Sequence, residues 1–342
     1  QERGWILGKA MCQGLAGEPA QATAGISQAR RRGTATGIDL ALAEKVAGAG
    51  SDGRRAVTIE WDGVDHLSAW RWGLAAATAV EIPRALFDSA TPQVRYWHAL
   101  SPDYSASNRA GDAERAAGQG VFSNLALVDL YGEVSDTDES GSAASAIARD
   151  LRAAYIAPTA GERISALKAL WDEPKDELGR YGRLVLTARA AARLRPADAA
   201  EDADRLIASI LTAGLDRRAL RWADVAPRGG NGWAMMTLAD PRRGALSYGD
   251  ATAYSATDAK EAMFFAGLAG LGRLSEADVA RGAEDYRLML NAADPWRRAI
   301  DAAARANQPG TVLLLCAAGM QTSDWRGVRP AALYRMVAAL RA

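Results

Sequence analysis

Helical spacing of apolar residues runs through nearly the whole chain, and this feature limits most strongly what the sequence can fold into. Between residues 142 and 155, apolar side chains recur at the three- and four-residue spacing of one helix face: Ala144, Ile147, Leu151, Ala154 and Tyr155. The segment 198–213 repeats the pattern and stops before Gly214, a residue that commonly ends helices. Because each such helix must bury its apolar face against another helix, we predict an all-α fold.

The composition agrees with this prediction. The chain of 342 residues contains 76 alanines, 36 arginines and 5 lysines. Alanine is the best helix former, and arginine ranks close behind it. A hydrophobic share of 49% excludes extensive disorder. One segment departs from the helical pattern: residues 54–61 alternate apolar and polar side chains, and we interpret them as an extended connector because no second strand is predicted.

The predicted helices come in pairs. Two consecutive helix pairs between residues 142 and 213 begin roughly 36 residues apart, a period typical of stacked helical hairpins. The polar stretch 133–142 is predicted to be an exposed loop. These observations divide the chain into an N-terminal helical-repeat region, central helical hairpins, an irregular loop insertion and a C-terminal helical-repeat region: 1–132, 142–223, 224–256 and 257–342.

Two short segments carry a resemblance to a known family. Leu268–Ala277 and Leu15–Ala20 resemble the helix–tight turn–helix junction of tetratricopeptide-like repeats, in which a small residue lets the paired helices approach. The chain as a whole resembles a degenerate bacterial α-solenoid. The resemblance implies hairpins stacked into a superhelix whose curved surface binds a protein partner. It therefore implies a non-enzymatic scaffold subunit of a larger bacterial assembly.

Charge and cysteine content narrow the choice of partners and compartments. The chain has 41 basic and 41 acidic residues, so a broad nucleic-acid interface is not expected. No apolar run approaches the ~20 residues of a transmembrane helix, and we expect a soluble chain from the bacterial periplasm or cytoplasm. Cys12 and Cys316 are too few for a disulfide framework, and their apolar neighbours favour buried thiols. A disulfide between these two cysteines is the alternative.

The irregular insertion holds the candidate binding residues. Loops of this length within compact helical domains are often functional. Its glycine run at 229–232 matches neither a phosphate-binding loop nor a dinucleotide-binding turn. We expect a recognition surface here, and a domain junction is the alternative. The aromatic and arginine side chains that would form the surface are Trp222, Arg228, Trp233, Arg242, Arg243 and Tyr248.

A second cluster carries groups suited to catalysis. Asp62, Asp65 and His66 combine two carboxylates with an imidazole, the groups of a general base or a hydrolytic metal site. Asp65 is also a suitable helix cap. The alternative function is therefore an enzyme with an α/α-toroid, or the helical superstructure of one. It would act on a polysaccharide or peptidoglycan through Asp62, Asp65 or Asp250.

The sequence indicates no cofactor and no metal site. Asp136 and Asp138 begin a pattern like the first half of a calcium loop, which needs a bidentate glutamate at its twelfth position. Ile147 occupies that position, so we interpret the match as accidental.

Overall fold

The computed structural model of the chain describes residues 2–35, 37–50, 59–138, 141–290, 294–321 and 327–342. Throughout this part of the chain the regular secondary structure is helical, and no strand occurs in it. The predicted all-α class is therefore confirmed. Most of the strand-like segment 54–61 lies outside the described residues, and residues 59–61 have no regular structure.

The helices follow one another with short connections. The first ten are α1 (Glu2–Leu15), α2 (Pro19–Arg31), α3 (Ile38–Gly48), α4 (Ala69–Ala77), α5 (Pro92–Leu100), α6 (Ala106–Gly118), α7 (Asn124–Thr137), α8 (Ala143–Ile156), α9 (Ala160–Asp172) and α10 (Glu177–Ala191). The others are α11 (Ala203–Thr212), α12 (Asp216–Ala219), α13 (Asn231–Ala239), α14 (Tyr248–Ala251), α15 (Asp258–Gly270), α16 (Glu276–Asp285), α17 (Pro295–Arg305), α18 (Pro309–Gly319) and α19 (Pro330–Arg341). Short 3₁₀ helices occur among them, such as Arg84–Ser89.

The chain forms two compact units. The first comprises Gln1–Asp150 and Asp172–Leu186, and the second comprises Leu151–Trp171 and Thr187–Ala342. Each unit therefore contains a segment that is remote in sequence from the rest of it.

In the first unit, neighbouring helices pack together in chain order. The helices α1, α2 and α3 surround a cluster of buried side chains that includes Leu7, Ile26 and Leu40. Gly14 permits the close approach of α1 and α3, since a Cβ there would lie 2.6 Å from the Cα of Ala47. Further along, α5 packs on α6 and α6 packs on α7.

The second unit also has local cores, although its helices do not all pack in chain order. The helices α13, α15 and α19 pack in series, and α17, α18 and α19 enclose a separate cluster around Ile300, Val312 and Met336. Local cores shared by neighbouring helices, as in α1–α3 and α17–α19, are the pattern of helical-hairpin repeats, in which each hairpin buries its apolar face on its neighbours. The predicted helical-repeat fold of α-solenoid type agrees with this packing.

Several helix starts follow directly from local sequence. Thr159 and Glu162 form a capping box, in which each side chain accepts a hydrogen bond from the other residue's backbone N–H. Ser275 and Asp294 cap α16 and α17. The polar stretch 133–142, in contrast, is not all loop. The helix α7 extends through Thr137, because its polar residues lie on an exposed face.

The stretch 224–256 is also more ordered than the sequence predicts, since it contains α13 and α14. The cap residues of α13 lie far away in the sequence. The carboxylate of Asp204 accepts hydrogen bonds from the backbone N–H groups of Asn231 and Gly232, at 3.2 and 2.9 Å. At the other end the buried guanidinium of Arg273 donates to the carbonyls of Leu238 and Asp240, at 3.3 and 2.7 Å.

The two cysteines differ in exposure. Cys316 is buried, whereas Cys12 is exposed on α1, and both thiols are free. The expectation of two buried thiols is thus wrong for Cys12, which lies on the outer face of α1 beside the buried Met11.

The tryptophans also differ in exposure. Trp171 is fully buried, but Trp97 is nearly half exposed and packs on Trp72.

In the described residues, no helix combines the length and the apolarity needed to cross a membrane.

Candidate binding surfaces

Asp62, Asp65 and His66 are all exposed. They follow one another on the turn before α4, and no hydrogen bond or ion pair joins their side chains within the described part of the chain. The cap of α4 is Ser68, whose hydroxyl accepts from the N–H of Arg71, so Asp65 does not serve as the predicted cap. A general base must be held in a fixed position relative to its substrate. In the described residues, no contact among these three side chains fixes their positions.

Four of the six candidate residues lie at the surface, and three of these four already have partners. Arg228 forms an ion pair with Asp250 at 2.6 Å, and Arg242 forms one with Asp240 at 3.3 Å. The hydroxyl of Tyr248 donates a hydrogen bond to Asp285, and the guanidinium of Arg281 lies 4.1 Å from the centre of the Tyr248 ring. We call Arg228, Arg242, Arg243 and Tyr248 the 228–250 surface.

Hydrogen bonds and charges at this surface shift the pKa values of Tyr248 and Asp250. The hydrogen bond to Asp285, aided by burial, raises the pKa of Tyr248 to about 12. Hydrogen bonds from Ser247 lower the pKa of Asp250, and the charges of Arg228 and Arg243 add to that effect. Tyr248 is therefore a neutral donor and Asp250 a carboxylate at neutral pH. Arg243 is exposed and has no ion-pair partner within the described residues.

The remaining two candidates belong to the core. Trp222 is fully buried, so its ring does not face solvent. Trp233 is half-buried and packs against Phe264, with ring centres 5.7 Å apart. The structure thus brings the arginines and Tyr248 to one surface and places the tryptophans beneath it or in the core.

Two buried acidic groups on α6 form networks of their own. Asp112 is fully buried, accepts hydrogen bonds from Arg95 and lies 2.8 Å from the Nδ1 of His98. His98 in turn packs between Phe87 and Tyr104, at ring-centre distances of 4.1 and 4.7 Å. His98 is therefore a core residue of the first unit.

Glu114 forms the second network. It accepts a hydrogen bond from the hydroxyl of Tyr131 and forms an ion pair with Arg183 at 2.9 Å. Arg183 also binds Glu173, at 2.6 Å. Both networks join helices of the first unit, and their polar groups are engaged within the protein.

A groove runs along the hairpin of α1 and α2, with a volume of about 810 Å³. Its floor is formed where Gly25 approaches Ala10, since a Cβ at Gly25 would lie 3.0 Å from that of Ala10. The most exposed large apolar side chain described in the first unit, Trp5, lines it with 77% of its surface in solvent. We call it the α1–α2 groove, and its other lining residues include Ile6, Lys9, Gln13, Gln21, Gln28, Arg31 and Arg32.

The second unit has a groove of similar size, about 880 Å³, beside the α15–α16 hairpin. Leu274, Val279 and Tyr334 contribute to its apolar lining. Met289 lies at its edge with 73% of its surface exposed, the highest value among the large apolar side chains described in this unit. We call it the α16–α19 groove. One end of it lies on the Leu268–Ala277 junction that resembles tetratricopeptide-like repeats.

Neither groove was among the sequence-based candidates. A signal does exist on α1, where Trp5, Lys9 and Gln13 recur every four residues and so share one helix face. That face combines a large aromatic ring with polar groups, and a tryptophan on an otherwise polar face indicates a surface rather than a core position. No comparable signal marks Met289, which lies outside a helix.

Comparison of the chain with protein-family models, curated proteins and solved structures finds no match. Within the described residues, no group of three or more histidine, cysteine, aspartate or glutamate side chains is arranged to hold a metal ion.

Proposed function

We propose that this chain is a protein-binding helical-repeat subunit, and that the grooves beside its helical hairpins are the binding surfaces. One observation carries the proposal: in each unit, the most exposed large apolar side chain that the structure describes lines a groove between helices. The ring of Trp5 presents a large apolar area that a bound partner would cover. Burying it on binding contributes free energy in proportion to the apolar area removed from water.

The shape of the grooves suits a helical segment of another protein. Two packed helices leave a furrow into which a third helix can lay its apolar face, and this mode of recognition is common among helical proteins. Tryptophan and methionine are both enriched at protein interfaces. The 228–250 surface is a weaker candidate, because Arg228, Arg242 and Tyr248 are already paired with carboxylates of the same unit.

Site-specific photo-crosslinking in cells that produce the chain tests this proposal. A photoreactive phenylalanine replaces Trp5 or Met289, and matched control positions are Thr23 on α2 and Glu284 on α16, which are exposed but line neither groove. We expect a defined protein adduct from at least one groove position and none from its control. Adducts of equal yield at groove and control positions, or none at either groove, would contradict the proposal.

A further inference from the structure

The α1–α2 groove has a one-sided charge. Lys9, Arg31 and Arg32 line it, and among the side chains that the structure describes no carboxylate does. Neither Lys9 nor Arg31 has an ion-pair partner within the described residues. The adjacent Arg30 points elsewhere, since it pairs with Glu44 at 2.9 Å. The whole chain has no net charge, so the excess of cations is local to the groove.

The register of the hairpin brings the cations close to the exposed ring. The side chain of Gln13 donates to that of Gln21 at 2.7 Å near the turn, and Ala10 lies opposite Gly25. In an antiparallel pair of helices these two contacts place Trp5 at the same end of the groove as Arg31. This end of the groove thus combines a large apolar surface with cations, while the turn end presents amide groups.

We propose that the α1–α2 groove binds an acidic amphipathic helix of a partner protein. An apolar side chain of that helix packs on Trp5, and its carboxylates face Lys9 and Arg31. Charge complementarity of this kind selects the partner and sets its orientation. The apolar contact on the tryptophan supplies most of the affinity, because aromatic anchors dominate binding energy in such interfaces. The inference rests on the proposed function and names the partner for one of its two grooves.

The test is a selection from a displayed library of helical peptides of about 14 residues against the full chain, followed by affinity measurements on synthetic peptides. We expect the selected peptides to be enriched in aspartate and glutamate beside apolar residues. Trp5→Ala should weaken their binding about 30-fold. The double variant Lys9→Gln/Arg31→Gln should weaken peptide binding about tenfold, and added salt should also weaken it.

Arg30→Gln is the matched control. It removes one cation from the same helix, one position away from Arg31, and should leave the affinity within about twofold of the unaltered chain. Since Lys9, Arg30 and Arg31 are all exposed, these variants should fold, and circular dichroism checks that they do.

Different negative results would overturn different proposals. Peptides that bind without enrichment in acidic residues, or that weaken equally with Arg30→Gln and Arg31→Gln, would overturn this inference but leave the proposed function in place. Absence of any selected peptide that binds would overturn the inference, and absence of photo-crosslinked adducts at both grooves as well would overturn the proposed function. A fluorescein-labelled oligothymidylate that binds more tightly than the peptides would assign the cations to phosphate groups and overturn the inference as well.

Discussion

Asp112 and Glu114 lie two residues apart on α6 and are both buried, yet their surroundings shift their pKa values in opposite directions. Burial alone would raise the pKa of Asp112, but the hydrogen bond to His98 and the charge of Arg95 outweigh it and lower the pKa. For Glu114, burial dominates over the charge of Arg183 and raises the pKa. The donors around Asp112 thus outweigh its burial, whereas those around Glu114 do not.

Asp112→Asn tests the first of these networks. The variant leaves Arg95 and His98 without their anion, and we expect a loss of about 3 kcal/mol in the free energy of unfolding near pH 7. The pKa of Asp112 is lowered on folding, so its contribution is present above the unfolded value of about 4 and is lost as the pH falls below it.

Urea denaturation at a series of pH values measures this difference. The gap in stability between Asp112→Asn and the unaltered chain should therefore narrow as the pH falls below about 4. Asp129→Asn is the control, since Asp129 is exposed on α7. A gap that stays constant with pH, or an equal loss for the control, would contradict the role assigned to Asp112.

At the level of secondary structure, α13 shows how a short helix depends on residues from other elements. Its first turn has no side-chain cap from its own N-cap, Gly230. Asp204 on α11 and Arg273 after α15 instead bind its two ends. A carboxylate at the N-terminus and a cation at the C-terminus also interact favourably with the helix dipole. Burial lowers the pKa of Arg273, and the charge of Asp240 opposes that effect.

Arg273→Met removes the C-terminal cap of α13 while keeping an unbranched apolar side chain of similar reach. Since several carbonyls lose a charged donor, we expect a loss of about 2 kcal/mol. Hydrogen exchange compared with the unaltered chain should show that the substitution accelerates exchange of the amides of residues 231–239 more than that of the amides of α17. Arg242→Met is the matched control, because its guanidinium is exposed in the same region and should change stability by less than about 0.5 kcal/mol. Uniform acceleration across the chain would contradict a cap-specific effect.

At the scale of the whole molecule, the first unit is completed by a segment that returns to it late in the chain. Residues 172–186 supply Arg183, the ion-pair partner of Glu114, and Leu178, whose side chain lies against Gly118. A Cβ at Gly118 would lie 2.7 Å from the Cδ1 of Leu178 and 3.0 Å from its carbonyl oxygen, so a larger residue there would force Leu178 to shift. The unit therefore depends on contacts between residues 60 or more positions apart as well as on neighbouring helices.

Arg183→Met tests this dependence. It leaves Glu114 buried without its cation, and we expect a loss of about 3 kcal/mol near pH 7. The folded pKa of Glu114 is already raised by burial, and loss of Arg183 raises it further. The folded variant can then regain stability by binding a proton, so its deficit should be smaller near pH 4 than near pH 7.

Urea denaturation at both pH values, followed by fluorescence, checks this expectation. Glu173→Gln is the control, since it removes the more exposed carboxylate partner of Arg183 and should cost less than about 1 kcal/mol. A deficit that grows toward low pH would contradict the assignment of the loss to Glu114.

The sequence by itself determines the helical class and much of the helix register. Helix caps, such as Thr159 with Glu162, and apolar positions at helical spacing involve residues only three or four positions apart. Such patterns can be recognised in the sequence alone. His98, between Trp97 and Ala99, is expected from these apolar neighbours to be a core or interface histidine, and it is buried. The sequence also locates the arginines and Tyr248 of the 228–250 surface, although not the carboxylates that pair with them.

Only the tertiary structure decides which of these groups remain available. The caps of α13 come from Asp204 and Arg273, which no local pattern connects to residues 231–239. Trp222 is buried and Trp5 exposed because of the helices that pack, or do not pack, against them. A side chain's exposure, its counter-charge and its place in a groove depend on elements distant in sequence. For that reason we propose the grooves beside the hairpins, and not the insertion, as the binding surfaces.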